Sequence, residues 1–187
     1  MSYGGYWEVM DCMEKSSFVF DSKTTSDAIK GAKEGLDDDV FSFVASITPM
    51  INVDLLIEKD GKLLFAWRDD GKNLGWHIPG GIIRYKETFH DRIIKTALNE
   101  IGDEVTHDDE PIKISEIFMP YQRRGHSISL LYKCYVDDKY VIDNRDKNVT
   151  DEGYLKWFDS CPELLVEGQK CYKDFLEKYF NECKKTG

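Results

Sequence analysis

Gly80 and Gly81 stand side by side behind a short apolar piece, Trp76 to Ile78, and a helix follows from about Thr88 to Ile101. The helix shows an apolar stripe, Phe89, Ile93, Ala97 and Ile101, at three- and four-residue spacing, and Gly102 stands just past its end as a terminator. The glycine pair reads as a loop with unusual backbone freedom at its centre. The position of this helix beside the glycine pair is the informative feature.

The flanking segments extend this pattern. Leu36, Val40, Phe41, Val44 and Ile47 have helical spacing, Asp37 to Asp39 sit where negative charge favours a helix N-terminus, and Thr48-Pro49 ends the run. Met50 to Ile57 and Lys62 to Trp67 read as strands joined through the turn Glu58 to Gly61, whose Asp-Gly pair favours a hairpin. Ile112 to Met119, Ser127 to Val136 and Tyr154 to Phe158 are further strands. Tyr172, Phe175, Leu176, Tyr179, Phe180 and Cys183 mark a terminal amphipathic helix. A chain of 187 residues suits one core, so residues 36–187 form the expected domain and residues 1–35, with Trp7, Phe18 and Phe20 but no sustained period, an extension tied onto it.

Charge narrows the function. Thirty-five Asp and Glu against 25 Lys and Arg give a net charge of -10, which repels nucleic acid and anionic membrane, so a polyanionic substrate needs a local basic pocket or a metal ion. No apolar run approaches the roughly 20 residues of a membrane span, and a cytoplasmic location is expected. The five cysteines are odd in number and lack CxxC spacing, which predicts reduced, structural thiols.

Between Gly81 and Gly102 the chain reads GIIRYKETFHDRIIKTALNEIG. Gly, five residues, Glu, seven residues, a basic residue and then Glu-x-Gly resembles the Nudix box, with Gly81, Glu87, Lys95, Glu100 and Gly102 at the matching positions. The resemblance implies an α/β/α sandwich with a mixed β-sheet, a Mg²⁺-dependent hydrolase, and a Glu87–Lys95 pair that fixes the loop. Positions 96, 99 and 100 share one helix face, and the usual box carries a carboxylate at each; here they are Thr96, Asn99 and Glu100, so Glu100 alone is an anionic metal ligand. The GDP-mannose mannosyl hydrolase branch lacks the same two carboxylates and displaces the nucleotide from the sugar carbon C1. Leu36 to Ile57 also resembles that branch, with Phe41 and Asp54 on its matching positions.

By that resemblance Phe41 would stack on the base, although a core role is open to it, and Arg68 would contact the diphosphate. An arginine expected directly after the glycine pair is Ile82 here, with Arg84 two residues on as a substitute. The branch's Gln-His pair before the last strand is replaced by Thr150-Asp151-Glu152-Gly153. Asp151 then takes the metal-ligand place and Glu152 the base place, and a one-residue shift exchanges them. Arg123, Arg124 and His126 form a compact basic patch that would face a diphosphate or balance the surface. The expected site thus comprises Mg²⁺ on Glu100, a carbonyl of Gly80 or Gly81 and Asp151, with Glu152 activating water against a nucleoside diphosphate sugar. Cleavage of the phosphoanhydride bond, and a binding module without turnover, are the two rival readings. The resemblance further implies a homodimer, and no nucleic-acid or membrane partner is expected.

Overall fold

A computed structural model describes residues 35–122 and 125–186. Residues 1–34, which hold nearly all of the expected extension, and Arg123 and Arg124 of the basic patch lie outside the described residues.

The chain runs α1 (Asp38–Ile47), β1 (Met50–Lys59), β2 (Lys62–Asp69), β3 (Leu74–His77), β4 (Gly80–Ile82), α2 (Phe89–Ile101), β5 (Thr106–His107), β6 (Lys113–Phe118), β7 (His126–Tyr135), β8 (Leu155–Phe158), a 3-10 turn (Glu167–Tyr172) and α3 (Lys173–Thr186). One sheet takes the order β3-β2-β1-β7-β5, with β4 on β1, β6 on β7 and β8 on β2. Only β1 and β7 pair in parallel, Met50 opposite Ser127 through Glu58 opposite Tyr135; the other pairs are antiparallel. The mixed sheet is therefore as expected. Asp60 and Gly61 both take positive φ between Lys59 and Lys62, the tight hairpin that an Asp-Gly pair favours.

Alternation along the strands sorts side chains to the two faces. Val53, Leu55, Ile57, Leu64 and Ala66 pack under Ile93, Ala97 and Ile101 of α2. Leu56, Leu63, Phe65, Trp76 and Ile78 face Tyr172 of the 3-10 turn and Leu176 and Phe180 of α3. Two helices thus close two cores on one sheet, the α/β/α sandwich. The first helix, α1, has no buried residue, and Ile47 is exposed. Cys134, Cys161 and Cys171 are free thiols. Among the described residues no helix is long and apolar enough to cross a membrane.

The glycine pair differs from its expected role. It is a strand rather than a loop, pairing Val53 with Gly81 and Asp54 with Gly80, and neither glycine has a positive φ. Close approach, not conformational freedom, requires glycine here. A β-carbon on Gly80 would overlap Asp54 Oδ1, and one on Gly81 would stand 2.5 Å from Thr96 Oγ1 of α2. Gly80 thus makes room for Asp54 of β1, and Gly81 lets α2 pack closely on β4.

Candidate functional site: a carboxylate cleft beside the glycine strand

Glu100 reaches the cleft from the last turn of α2, whose start is fixed by a capping box: Thr88 Oγ1 accepts from Asp91 N and Asp91 accepts from Thr88 N. Its side chain is 26% exposed. Burial raises its carboxyl above the ordinary glutamate value; Arg68 and Lys147 oppose the shift and the Glu152 charge adds to it. Charged groups from β2 and from the segment before β8 therefore act on Glu100 of α2.

Arg68 stands near the end of β2, and its Nε lies 3.7 Å from Glu152 Oε1. The backbone explains that meeting. Trp67 N donates to Tyr154 O and Gly153 N donates to Trp67 O, so the segment entering β8 runs beside β2. Asp69 N then donates to Glu152 Oε2 at 2.5 Å, leaving Oε1 toward Arg68. His77, on β3, completes the group: its Nε2 is 4.0 Å from Glu100 Oε2. Burial drives the imidazole down to about 3, so this contact is not an ion pair at neutral pH.

The strand β4 contributes backbone. Leu55 N donates to Pro79 O and Ile83 N to Ile51 O, which makes positions 79, 81 and 83 the bonded ones of the antiparallel ladder. The Gly80 carbonyl consequently points away from β1, whereas that of Gly81 faces it.

Glu87 forms a separate network. Its Oε1 accepts from Lys95 Nζ at 2.9 Å, and its Oε2 accepts from Arg92 Nε at 2.9 Å, from Arg92 Nη2 and from Arg84 N at 2.8 Å. Burial acts to raise this carboxyl, but the bonds from Lys95, Arg92 and Arg84 N outweigh it and hold it below the ordinary value. Thus Glu87 and Lys95 do pair, and the loop before α2 is tied to the helix.

Solved structures share this fold. A MutT protein from Methanosarcina mazei Go1 superposes with a TM-score of 0.55 at 18% identity, covering 74% of this chain and 98% of its own. A UDP-X diphosphatase gives 0.53 at 17%, covering 88% and 80%. The fold is that of the Nudix hydrolases. No family model matches the sequence. Among curated proteins, a low-salt glycan biosynthesis protein, Agl8, of Haloferax volcanii is 26% identical over 147 residues, spanning 76% of this chain and 91% of its own length. An ADP-ribose pyrophosphatase of Methanocaldococcus jannaschii is 28% identical over 133 residues, spanning 68% and 73%.

Within this Nudix fold, Glu100, Arg68 and Glu152 come together, with Gly80 and Gly81 on the strand that α2 packs against. Other expected site residues are engaged elsewhere. Asp151 Oδ2 accepts from Asn148 N at 2.7 Å and from Asn148 Nδ2 at 3.1 Å, closing its own turn. Arg84 lays its guanidinium against Gly35. His126 Nε2 is 3.0 Å from Glu116 Oε1, and its ring meets Phe118 edge-on, at the β6–β7 edge. Phe41 is half-buried on α1. Of the three box positions, Thr96 is buried with its Oγ1 lacking a hydrogen-bond partner, Asn99 is exposed, and Glu100 alone is a half-buried carboxylate in the field of Arg68, Glu152 and Lys147.

Several contributors escaped the sequence reading. Arg92 joins the Glu87 network from a position the motif leaves open. Lys147 bonds Gly153 O at 2.8 Å and bears on Glu100. Gln169 clamps the β3–β4 link: Ile78 N donates to its Oε1 at 2.6 Å and its Nε2 donates to Ile78 O at 2.9 Å. Asp54, by contrast, was marked by the resemblance; it is buried and accepts from Ser129 Oγ at 2.5 Å and Tyr172 OH at 2.8 Å. Of the contributors that escaped, only His77 carried a readable signal. Trp76 and Ile78 face α3, so alternation sends the residue between them to the face of α2.

Proposed function

We propose that this protein is a divalent-metal-dependent hydrolase of a nucleoside diphosphate sugar that directs water at the sugar C1, as in the GDP-mannose mannosyl hydrolase branch. One observation carries the reading: on the face of α2 where the Nudix box usually offers three carboxylates, Glu100 alone remains, and it points into the cleft with Arg68 and Glu152. A single carboxylate is a sparse metal site for attack on phosphorus, whereas departure of a diphosphate from carbon demands less.

The residues fit a hard cation. The Glu100 side chain makes no hydrogen bond among the described residues, and the Gly80 carbonyl lies outside the ladder, so these two would hold it; Asp151 accepts from Asn148 through Oδ2, which leaves Oδ1 for a further contact. The cation, Mg²⁺ in this reading, would neutralise charge on the leaving diphosphate. Arg68 adds a fixed positive charge for the same phosphates. Glu152, held by Asp69 N through Oε2, presents Oε1 as the base. It takes a proton from the attacking water as the new carbon–oxygen bond forms and the carbon–phosphate-oxygen bond breaks. The similarity to a glycan biosynthesis protein is in keeping with a sugar substrate.

A second reading, cleavage of the phosphoanhydride bond, is favoured by the similarity to an ADP-ribose pyrophosphatase and by an acidic rather than histidine base. Hydrolysis of a panel of nucleoside diphosphate sugars in heavy-oxygen water separates them. Label in the sugar is expected; label in a phosphate would establish the second reading, and tight binding without product release would leave only a binding module. A homodimer covering α1, none of whose residues is buried, belongs to the same proposal, and sedimentation checks it.

A further inference from the structure

Beside Glu100 stands an imidazole for which the mechanism above has no use. His77 is 2% exposed. Its Nδ1 lies 3.0 Å from the carbonyl oxygen of Ile78, which Gln169 Nε2 also bonds at 2.9 Å, and Gln169 Oε1 accepts from Ile78 N. The carbonyl is thus locked in place. A carbonyl oxygen can only accept, so Nδ1 carries the ring proton and Nε2 presents a lone pair. That lone pair faces Glu100 Oε2 at 4.0 Å. Two acceptors confront each other, and neither has a hydrogen-bond donor among the described residues.

A cation between them resolves the confrontation. Imidazole–metal and carboxylate–metal bonds each run about 2.0–2.2 Å, so a shared ion would draw the exposed end of Glu100 somewhat closer to the fixed imidazole. Metal-binding histidines typically give their other ring N–H to a backbone carbonyl or carboxylate, which fixes tautomer and orientation; the Ile78–Gln169 clamp supplies that here. We propose that His77 Nε2 ligates the divalent cation together with Glu100, and that this nitrogen shifts the site's preference from Mg²⁺ toward a borderline transition ion such as Mn²⁺, Co²⁺ or Zn²⁺. The proposal rests on the reading of Glu100 as a metal ligand. Mg²⁺ binds oxygen donors and holds its waters, whereas imidazole favours the transition series, so exchanging a lost carboxylate for a buried imidazole changes which ion binds best.

Pulsed electron paramagnetic resonance of Mn²⁺ bound to the whole chain tests this without turnover. The wild type is expected to show nitrogen modulation from a coordinated imidazole. Histidine occurs at positions 77, 90, 107 and 126 only, so the triple variant H90Q/H107Q/H126Q, which leaves the buried residue untouched, is expected to keep the signal. His77→Gln is expected to lose it and to weaken Mn²⁺ binding about tenfold or more, since even outer partners of a metal ligand matter on that scale. Absence of nitrogen modulation in a wild type that binds Mn²⁺ through Glu100 overturns the proposal while leaving Glu100 as a ligand. A signal lost in the triple variant overturns it as well, by assigning the nitrogen elsewhere. If the wild type binds no Mn²⁺, or if Glu100→Gln binds it as well as wild type, the metal reading of Glu100 itself falls with it.

Discussion

Glu87 and Glu100 stand at opposite ends of α2 and meet opposite surroundings. Glu87, with a side chain 4% exposed, accepts from Lys95, Arg92 and the Arg84 backbone, and its carboxyl is held below the ordinary value. Glu100, 26% exposed, has no donor among the described residues and is raised by burial. A carboxylate whose lone pairs are filled by the protein stabilises structure; one left unfilled at the edge of a cleft is available to something else. The difference places Glu87 in the scaffold and is the ground on which Glu100 is proposed for the chemistry.

Glu100→Gln should give the largest effect: metal-dependent hydrolysis falls by about 10³-fold, because the cation supplies several kcal/mol of charge stabilisation. Its Tm should not fall, since neutralising a desolvated charge removes a cost, and calorimetry checks this. Glu87→Gln should do the reverse. Arg92, also buried, loses its partner's charge, and stability drops by about 3 kcal/mol, read from the denaturant midpoint. The comparison breaks if the two variants show the same profile.

Asp54 sharpens it as a third carboxylate, buried outright on the α3 face. Burial lifts it from 3.8 to about 6 despite the Ser129 and Tyr172 bonds. Between those values the folded chain keeps a proton that the unfolded chain has released, so stability falls as pH rises through the window, by about 3 kcal/mol in all. Urea titrations from below pH 4 to above pH 6 should show the decline, and Asp54→Asn should flatten it. Gly81→Ala, which pushes α2 off β4 at Thr96, should cost about 1–3 kcal/mol and impair both glutamates together. Lys95→Ala should matter least, below about 1 kcal/mol in chemical denaturation, because this ion pair has an exposed partner and Arg92 retains Glu87.

Most of the fold was legible because periodicity reports it. The stripe in α2, the Asp-Gly hairpin and the long strands β1, β2 and β7 each carry enough residues for spacing to decide. The strand β4 was not legible: a Gly-Gly-Ile segment has no alternation, and what makes it a strand is β1 lying opposite. The 3-10 turn and its Gln169 clamp likewise exist only through Ile78, far away in sequence. At the site, the Glu87–Lys95 pair followed from motif register, and Arg68 and Glu152, expected as diphosphate contact and base, stand 3.7 Å apart. Asp151 is different, since its carboxylate serves Asn148 three residues back, a local competition that resemblance to other chains hides. His126 pairs with Glu116 across a strand register that sequence spacing alone does not fix.

In the proposed mechanism one glutamate, Glu100, grips a divalent ion. Calorimetric titration of MnCl₂ and MgCl₂ into wild-type protein and into Glu100→Gln tests it most directly, because it needs no substrate. The account predicts saturable binding by the wild type that the variant loses, with Glu87→Gln retaining it under conditions where it is folded. Equal binding by wild type and Glu100→Gln would contradict it.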